Sequence, residues 1–494
     1  MLFSECRSGE SSPTNYYNSA GSSKMETNDA ILAKMATRAS LTADSAKLIL
    51  AMVGLPARGK SFISHKLYAF LNWSGTRTQI FNAGQKRRLA EPEDTQAVSA
   101  AKGQAVAAAA GPRPMQRERS AASFFDPTDP DAKAAREEIA METLDELLRW
   151  FEAGGEVGIY DATNSTFGRR AEVLARAAAA SERAGHSVNV VFIESICDEA
   201  ALLEANMLAK VRASPDFKSL SEDEALADLR ERIGHYERAY ASVKDEEGAY
   251  IKLYNLSSKV SASQVFGRMS TRVLPYLAAL HIRDRPVYLA ALLPGDASLP
   301  ASPKKRGPVL DDSFAQKLAG WVRAQGEEGR GLRILSSTQP AALAAASAVA
   351  GASATVTHQS ALNPIFRGAV APEHKEQLLA SMGFHERFAG GGESFGDLVR
   401  RLEPCLLEIE ASMEPVLVLA HSGPCRALRA YFLNVAVEQC MGAVTSPGAC
   451  ALADEQHSVL ELTQQGAGGG YSETIVDLSS WSAVLEPGEV VRIA

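Results

Sequence analysis

Eight consecutive residues, Gly54-Leu55-Pro56-Ala57-Arg58-Gly59-Lys60-Ser61, fit the pattern G-x-x-x-x-G-K-[ST]. They follow an apolar run, LILAMV, and open an amphipathic one, SFISHKLYAFLNW, so the spacing predicts a strand, a tight turn and a helix. Such a turn aims backbone N–H groups at an anion, offers a lysine to the β and γ phosphates, and supplies a hydroxyl for Mg2+. A glycine-rich turn with a chance lysine is the bland alternative, and it explains neither flank. An ATP or GTP site is expected, with Gly54, Ala57, Arg58, Gly59, Lys60 and Ser61 holding the nucleotide and Ser61 a metal ligand.

A carboxylate is the natural companion of such a turn. Asp161 ends the apolar stretch VGIY, where a parallel sheet would place an acid that orients Mg2+ or an acceptor hydroxyl. It is followed by Thr163-Asn164-Ser165-Thr166 and by Arg169-Arg170, hydroxyls and cations that suit a phosphorylated, polar acceptor. Arg87, Arg88, Arg136, Lys210, Arg212 and Arg232 are further cations. Each alone reads as a solvated helix charge, but their recurrence after strand ends suggests one convergent anion pocket. Residue types and spacing therefore reach a P-loop kinase, and no specific acceptor.

Positioning these groups takes a parallel, doubly wound α/β sheet. Strands are expected in KLILAMVG from Lys47, at Thr78 to Asn82, in EVGIYDAT, in SVNVVFIES and around Tyr250 to Leu256, alternating with helices at 129–153 and Arg169 to Ala184 and others up to Tyr240. Residues 1–46 read as a flexible tail with a short helix near Asp29 to Thr37, and 89–122, rich in Ala, Gln, Pro and Arg, as an inserted mobile segment. A junction near HIRDRP (281–286) separates this unit, 47–282, from a second α/β unit, 283–494. The chain has 494 residues, 46% of them hydrophobic, enough for more than one core. With a net charge of −8, its surface as a whole is not built for nucleic acid, so any anion site must be local. Apolar runs fall short of a membrane span, no secretory leader is visible, and six scattered cysteines read as reduced thiols. A cytoplasmic protein with neither membrane nor nucleic-acid partner is expected.

The order of segments LAMVGLPARGKSFISHKLYAFLNWSGTRTQIFNAGQKRR, SFFDPTDPDAKAAREE, IYDATNSTFGRR, FIESICDEAALLEANM, SPDF and RIGHYERAY resembles the kinase half of the 6-phosphofructo-2-kinase/fructose-2,6-bisphosphatase family. The resemblance runs from Lys47 to Ile282 and implies ATP- and Mg2+-dependent phosphorylation of the 2-hydroxyl of fructose 6-phosphate. It implies that Lys60 and Ser61 hold ATP phosphates and Mg2+, that Asp161 orients metal or acceptor, and that Asn206 lies near the nucleotide. Thr163, Arg88, Arg136, Arg169, Arg232 and Tyr236 would surround the sugar phosphate, Lys60, Asp161, Thr163 and Arg169 being the catalytic group. One position departs: the family's substrate-binding lysine falls on Val211, flanked by Lys210 and Arg212. One step on a helix rotates a side chain by about 100°, so Lys210 replaces it only if backbone or register adjusts.

The resemblance also implies a histidine-phosphatase-like second unit, which needs a nucleophilic histidine in an Arg-His-Gly motif after its first strand. Here that stretch reads PVYLAALLPGD, and no histidine occurs between His281 and His358. The segment that would bring a second arginine reads SSTQPAA, and that of the acid reads Asn363-Pro364-Ile365. Gly392-Glu393-Ser394 and His421 survive. Without a nucleophile the double displacement cannot run, so a folded but silent domain is expected, kept for stability, dimer contacts or regulation. A homodimer is left open. Two other readings remain at this point: a P-loop kinase for another phosphorylated acceptor, and an inactive scaffold that binds nucleotide or sugar phosphate.

Overall fold

The computed structural model describes residues 47–90, 129–256, 258–292, 312–325, 331–350, 354–371, 374–441, 458–465 and 469–478. The expected tail, its short helix and all but the first two residues of the 89–122 segment lie outside these residues. The chain forms two α/β units, each built on a mixed, mostly parallel six-stranded sheet.

The first sheet contains β1 (Lys47–Val53), β2 (Thr78–Asn82), β3 (Val157–Asp161), β4 (Val188–Ile196), β5 (Ala249–Tyr254) and β6 (Lys259–Ser263) in the order β2-β3-β1-β4-β5-β6. Its first five strands are parallel, and β6 runs antiparallel to β5. β1 is central and covered on both faces, which is why it reads as an unbroken apolar run rather than an alternating one. Leu48, Leu50 and Met52 pack with α1 (Lys60–Trp73). Ile49, Ala51 and Val53 face the other way, toward α3 (Pro130–Glu152) and α4 (Phe167–Ala184). Between β2 and α3 comes the short polar helix α2 (Ala83–Ala90), and after β4 come α5 (Ala200–Ala213) and α6 (Glu222–Glu237). The carboxyl ends of β1, β2 and β3 thus lie side by side.

The second sheet holds β7 (Val287–Leu292), β8 (Leu332–Ser336), β9 (Ala354–His358), β10 (Val416–His421), β11 (Ser458–Gln465) and β12 (Gly470–Asp477), ordered β12-β11-β7-β10-β8-β9. β7 to β10 are mutually parallel, and β11 and β12 form an antiparallel edge. One face packs on α8 (Asp312–Gln325) and α9 (Pro340–Val349). The other packs on α11 (Phe395–Ala411) and α12 (Ser422–Phe432), beside the small helices α10 (Lys375–Ser381) and α13 (Val437–Met441).

A single apolar core runs from α1 and α7 (Arg268–Ala279) of the first unit into α11 and α12 of the second. The stretch 281–286 is anchored there rather than loose: His281 Nε2 bonds Ser412 O at 2.7 Å, and buried Arg285 donates to the carbonyls of Ile409 and Ser412. Several elements were not anticipated from sequence. α2 lacks an apolar stripe, α7 contains Pro275, β9 is a short half-exposed edge, and β6 and the β11–β12 hairpin depend on partner strands. Among the described residues no helix is long and apolar enough to cross a membrane.

Candidate active site

Residues 54–59 join β1 to α1 through three left-handed or otherwise positive-φ positions, Gly54 (140°), Ala57 (58°) and Gly59 (82°). Gly54 cannot be replaced without movement, since a Cβ there would sit 2.6 Å from the Ser195 carbonyl oxygen. Lys60 folds back so that Nζ donates to Leu55 O at 2.7 Å, closing the turn. Burial, with Lys210 and Arg58 nearby and only Asp161 opposing, lowers the Lys60 pKa to about 7. A lysine held by a backbone carbonyl, with no carboxylate bonded to it, is a group prepared for an incoming anion.

Asp161 is buried at the end of β3. Its Oδ2 accepts from Ser61 Oγ at 2.9 Å and from Asn82 Nδ2 at 2.6 Å, so the carboxyl ends of β2 and β3 and the first turn of α1 meet on one oxygen. The loop after Asp161 is tied to β1 as well: Gly54 N donates to Thr163 O (3.0 Å) and Asn164 Nδ2 to Met52 O (2.8 Å). Beneath it, fully buried Arg170 forms a bidentate pair with Glu247 (2.6 and 2.9 Å) and donates to the carbonyls of Asn164 and Ala241.

These groups border a cavity of about 360 Å³. Of the sequence-derived candidates, Lys60, Ser61, Arg88, Arg136, Asp161, Thr163, Arg169, Lys210, Arg232 and Tyr236 all line it. Gly54, Ala57 and Gly59 shape the turn from behind. Three candidates stay outside: Asn206 does not border the cavity, Arg58 turns to Pro56 O (3.3 Å) and Glu237 (3.6 Å), and Arg212, expected in the same anion pocket, is an exposed helix charge paired with Glu222 (2.8 Å). Lys210 reaches the cavity because α5 presents it there while Val211 is buried with Met207, Phe217, Leu229 and Ile233. Burial lowers the Lys210 pKa, with Arg88 and Arg232 adding to the effect and Asp161 and Asp216 opposing it.

The cations are organised by carboxylates that sequence reasoning missed. Asp216 of SPDF takes Arg87 at 2.6 Å and Arg232 at 3.2 Å, with Arg88 at 3.7 Å. Burial would raise the Asp216 carboxyl, but these arginines hold it below the usual carboxylate range. Glu137 pairs with Arg169, whose other end reaches Arg136 O. Tyr236 bonds to Thr163, and burial pushes its phenol up. Asn82, Glu137, Asp216 and His235 also line the cavity. Their roles come from partners up to 129 residues away, so no local pattern could have revealed them.

The cavity is lined by first-unit residues throughout, from Pro56 to Ala239. At the end of β10, buried His421 Nε2 lies 3.2 Å from Ser337 Oγ. Glu393 is occupied by Arg401 (2.8 and 3.1 Å) and by the Phe366 N–H (2.8 Å), and Ser394 caps α11 reciprocally with Asp397. The residues after β7, Leu293-Pro294-Gly295, lie outside the described ones.

The sequence profile of 6-phosphofructo-2-kinase matches residues 36–284, and that of the histidine phosphatase superfamily (branch 1) matches residues 315–457. The 6-phosphofructo-2-kinase/fructose-2,6-bisphosphatase of Caenorhabditis elegans is 31% identical over 411 residues, 78% of this chain and 81% of that one. The Rattus norvegicus protein 6-phosphofructo-2-kinase/fructose-2,6-bisphosphatase 3 is 29% identical over 471 residues, 90% of this chain and 75% of its own. The Arabidopsis thaliana 6-phosphofructo-2-kinase/fructose-2,6-bisphosphatase is 30% identical over 406 residues, and this chain spans about half of it, 49%.

Proposed function

Because the chain belongs to the 6-phosphofructo-2-kinase/fructose-2,6-bisphosphatase family, we propose that it phosphorylates the 2-hydroxyl of fructose 6-phosphate with ATP and does not hydrolyse the product. The observation that carries the kinase reading is the meeting of Lys60, Ser61 and Asp161 in a cavity rimmed by arginines. The donor set fits a magnesium nucleotide: a positive-φ turn between strand and helix, a lysine not bonded to an acid, and a hydroxyl bonded to a buried carboxylate. Mg2+, when bound, would neutralise phosphate charge during the transfer. Ser61 and Asp161 would hold it.

In the transfer, the sugar 2-oxygen forms a bond to the γ phosphorus, the β–γ bridging bond breaks, and ADP leaves with that electron pair. Asp161 orients the acceptor hydroxyl and takes its proton. Lys60 exchanges its bond to Leu55 O for a phosphate oxygen, following the developing charge. Arg88, Arg232 and Lys210 receive the 6-phosphate, while Thr163, Tyr236, Arg136 and Arg169 orient the ring. Lys210 takes the place of the family's lysine although it stands one position earlier, because the rotation of α5 sends Val211 to the core. This favours the kinase over an inactive scaffold. The cavity's cations suit a phosphorylated small-molecule acceptor, and the reading includes no nucleic-acid or membrane partner.

Loss of the phosphatase step rests on the missing nucleophile, with the second arginine and the acid also replaced, while the surviving Glu393 is engaged by Arg401. Two unit boundaries, near 46 and 282, go with this reading, as does a cytoplasmic location. Incubation with fructose 2,6-bisphosphate labelled at the 2-phosphate tests the silent half. No phosphate release above a Lys60→Met control is expected, and release or a phosphohistidine would refute it.

A further inference from the structure

The histidine-phosphatase-like half reaches the helix that carries Lys60 and Ser61 at one charged point. Lys66, one and a half turns along α1, is buried and bonds both oxygens of Glu410 on α11 (3.0 and 3.2 Å). Glu410 also accepts from Tyr431 on α12 (2.7 Å), and Tyr431 contacts Tyr276 on α7 (2.7 Å), whose hydroxyl bonds the Lys66 carbonyl (2.9 Å). Tyr471 on β12 adds a third contact, its hydroxyl 3.2 Å from Lys66 Nζ and its ring 4.7 Å away. At the tip of the β11–β12 hairpin, a Cβ on Gly469 would touch Phe62, the neighbour of Ser61, at 3.5 Å.

We infer that Lys66 and Glu410 are positioning residues, through which the phosphatase-like half sets the place of the α1 amino terminus and so of Lys60 and Ser61. The physical ground is that a buried ion pair is a poor source of stability, since apolar residues of like volume do as well, and is better suited to fixing one register. Here the pair sits inside an apolar interface that already has Trp73, with its Nε1 on Ala427 O, to hold the units together. Burial alone would lower the Lys66 pKa, yet Glu410 and Tyr471 hold it above the ordinary lysine value, so the pair stays charged. Two elements of the second unit touch the Lys66 side chain and a third, α12, reaches it through Glu410, and an α-helix transmits an axial shift at Lys66 to Lys60. In this way a half without a nucleophile still serves the kinase site. The inference rests on the proposed nucleotide turn.

The test uses the full chain with Lys66→Met/Glu410→Leu, which removes the charges without stranding either one, and Tyr431→Phe, which removes a single bond to Glu410. The double variant is expected to melt no lower than wild type. Amide hydrogen exchange over 59–63 in the ligand-free chain should rise about threefold or more while 167–184 stays unchanged. The KM for ATP should rise about fivefold with a smaller change in kcat, and Tyr431→Phe should shift both in the same direction. Wild-type exchange over 59–63 in both variants would overturn the inference, whatever happens to melting. If the double variant fails to fold, Tyr431→Phe decides alone. A chain that does not phosphorylate fructose 6-phosphate refutes the proposed function instead, and exchange over 59–63 still decides the positioning role.

Discussion

With a pKa of about 7, Lys60 in the ligand-free chain is divided between charged and neutral forms near neutrality. Phosphate oxygens favour the ammonium, so above pH 7 nucleotide binding must take up a proton. The affinity for ATP is therefore expected to fall as pH rises from 7 to 9, by at most about tenfold per unit. Calorimetry at pH 8 in two buffers of different ionisation enthalpy reads the uptake directly. Wild type should take up most of a proton and Lys60→Met none, and equal uptake in both would assign the proton elsewhere. Lys210 gives a second prediction. Lys210→Ala should raise the KM for fructose 6-phosphate about tenfold or more, since a charge-assisted phosphate contact is lost. Adding Val211→Lys should not restore it, because position 211 points into the cluster of Met207, Phe217 and Leu229. Restoration would show that the register of α5 shifts. At this scale the turn and Asp161 were legible because their chemistry is written in contiguous residues. Asp216 and Asn82 were not, since each acquires meaning only from a side chain far along the chain.

The elements that hold the site were readable where a periodic pattern was long. β1, α1, β3 and α4 are of this kind, and the alternation of strand and helix led directly to a parallel sheet. β6 and β9 escaped because short edge strands borrow their stability from neighbours. The loop 162–166 is a different case: its conformation depends on Arg170 beneath it, an ion pair with Glu247 that joins residues 77 positions apart. Arg170→Met should leave the Glu247 carboxylate buried and unpaired and cost about 3–5 kcal/mol in a denaturant melt. Arg170→Met/Glu247→Leu should recover most of that loss. If the single variant melts like wild type, the pair does not support the loop.

For the whole molecule, the resemblance over 47–282 pointed to the family, and the profile matches to both halves place the chain in it. The continuous core between the units was not legible, because it is made by helix faces that also look like ordinary single-domain faces. On the proposed function, this core gives a silent second half a structural role. If the second half is silent as proposed, His421, which sits against Ser337, has no part in the kinase reaction, and His421→Ala should leave fructose 6-phosphate phosphorylation within about twofold of wild type. A larger loss would tie the relic site to the kinase.

The central claim is most directly tested by following label from γ-labelled ATP in the presence of Mg2+ and fructose 6-phosphate. Wild type should accumulate fructose 2,6-bisphosphate steadily, labelled at the 2-position, while Lys60→Met gives at least about a hundredfold less. No labelled sugar bisphosphate from wild type above the Lys60→Met level would contradict it.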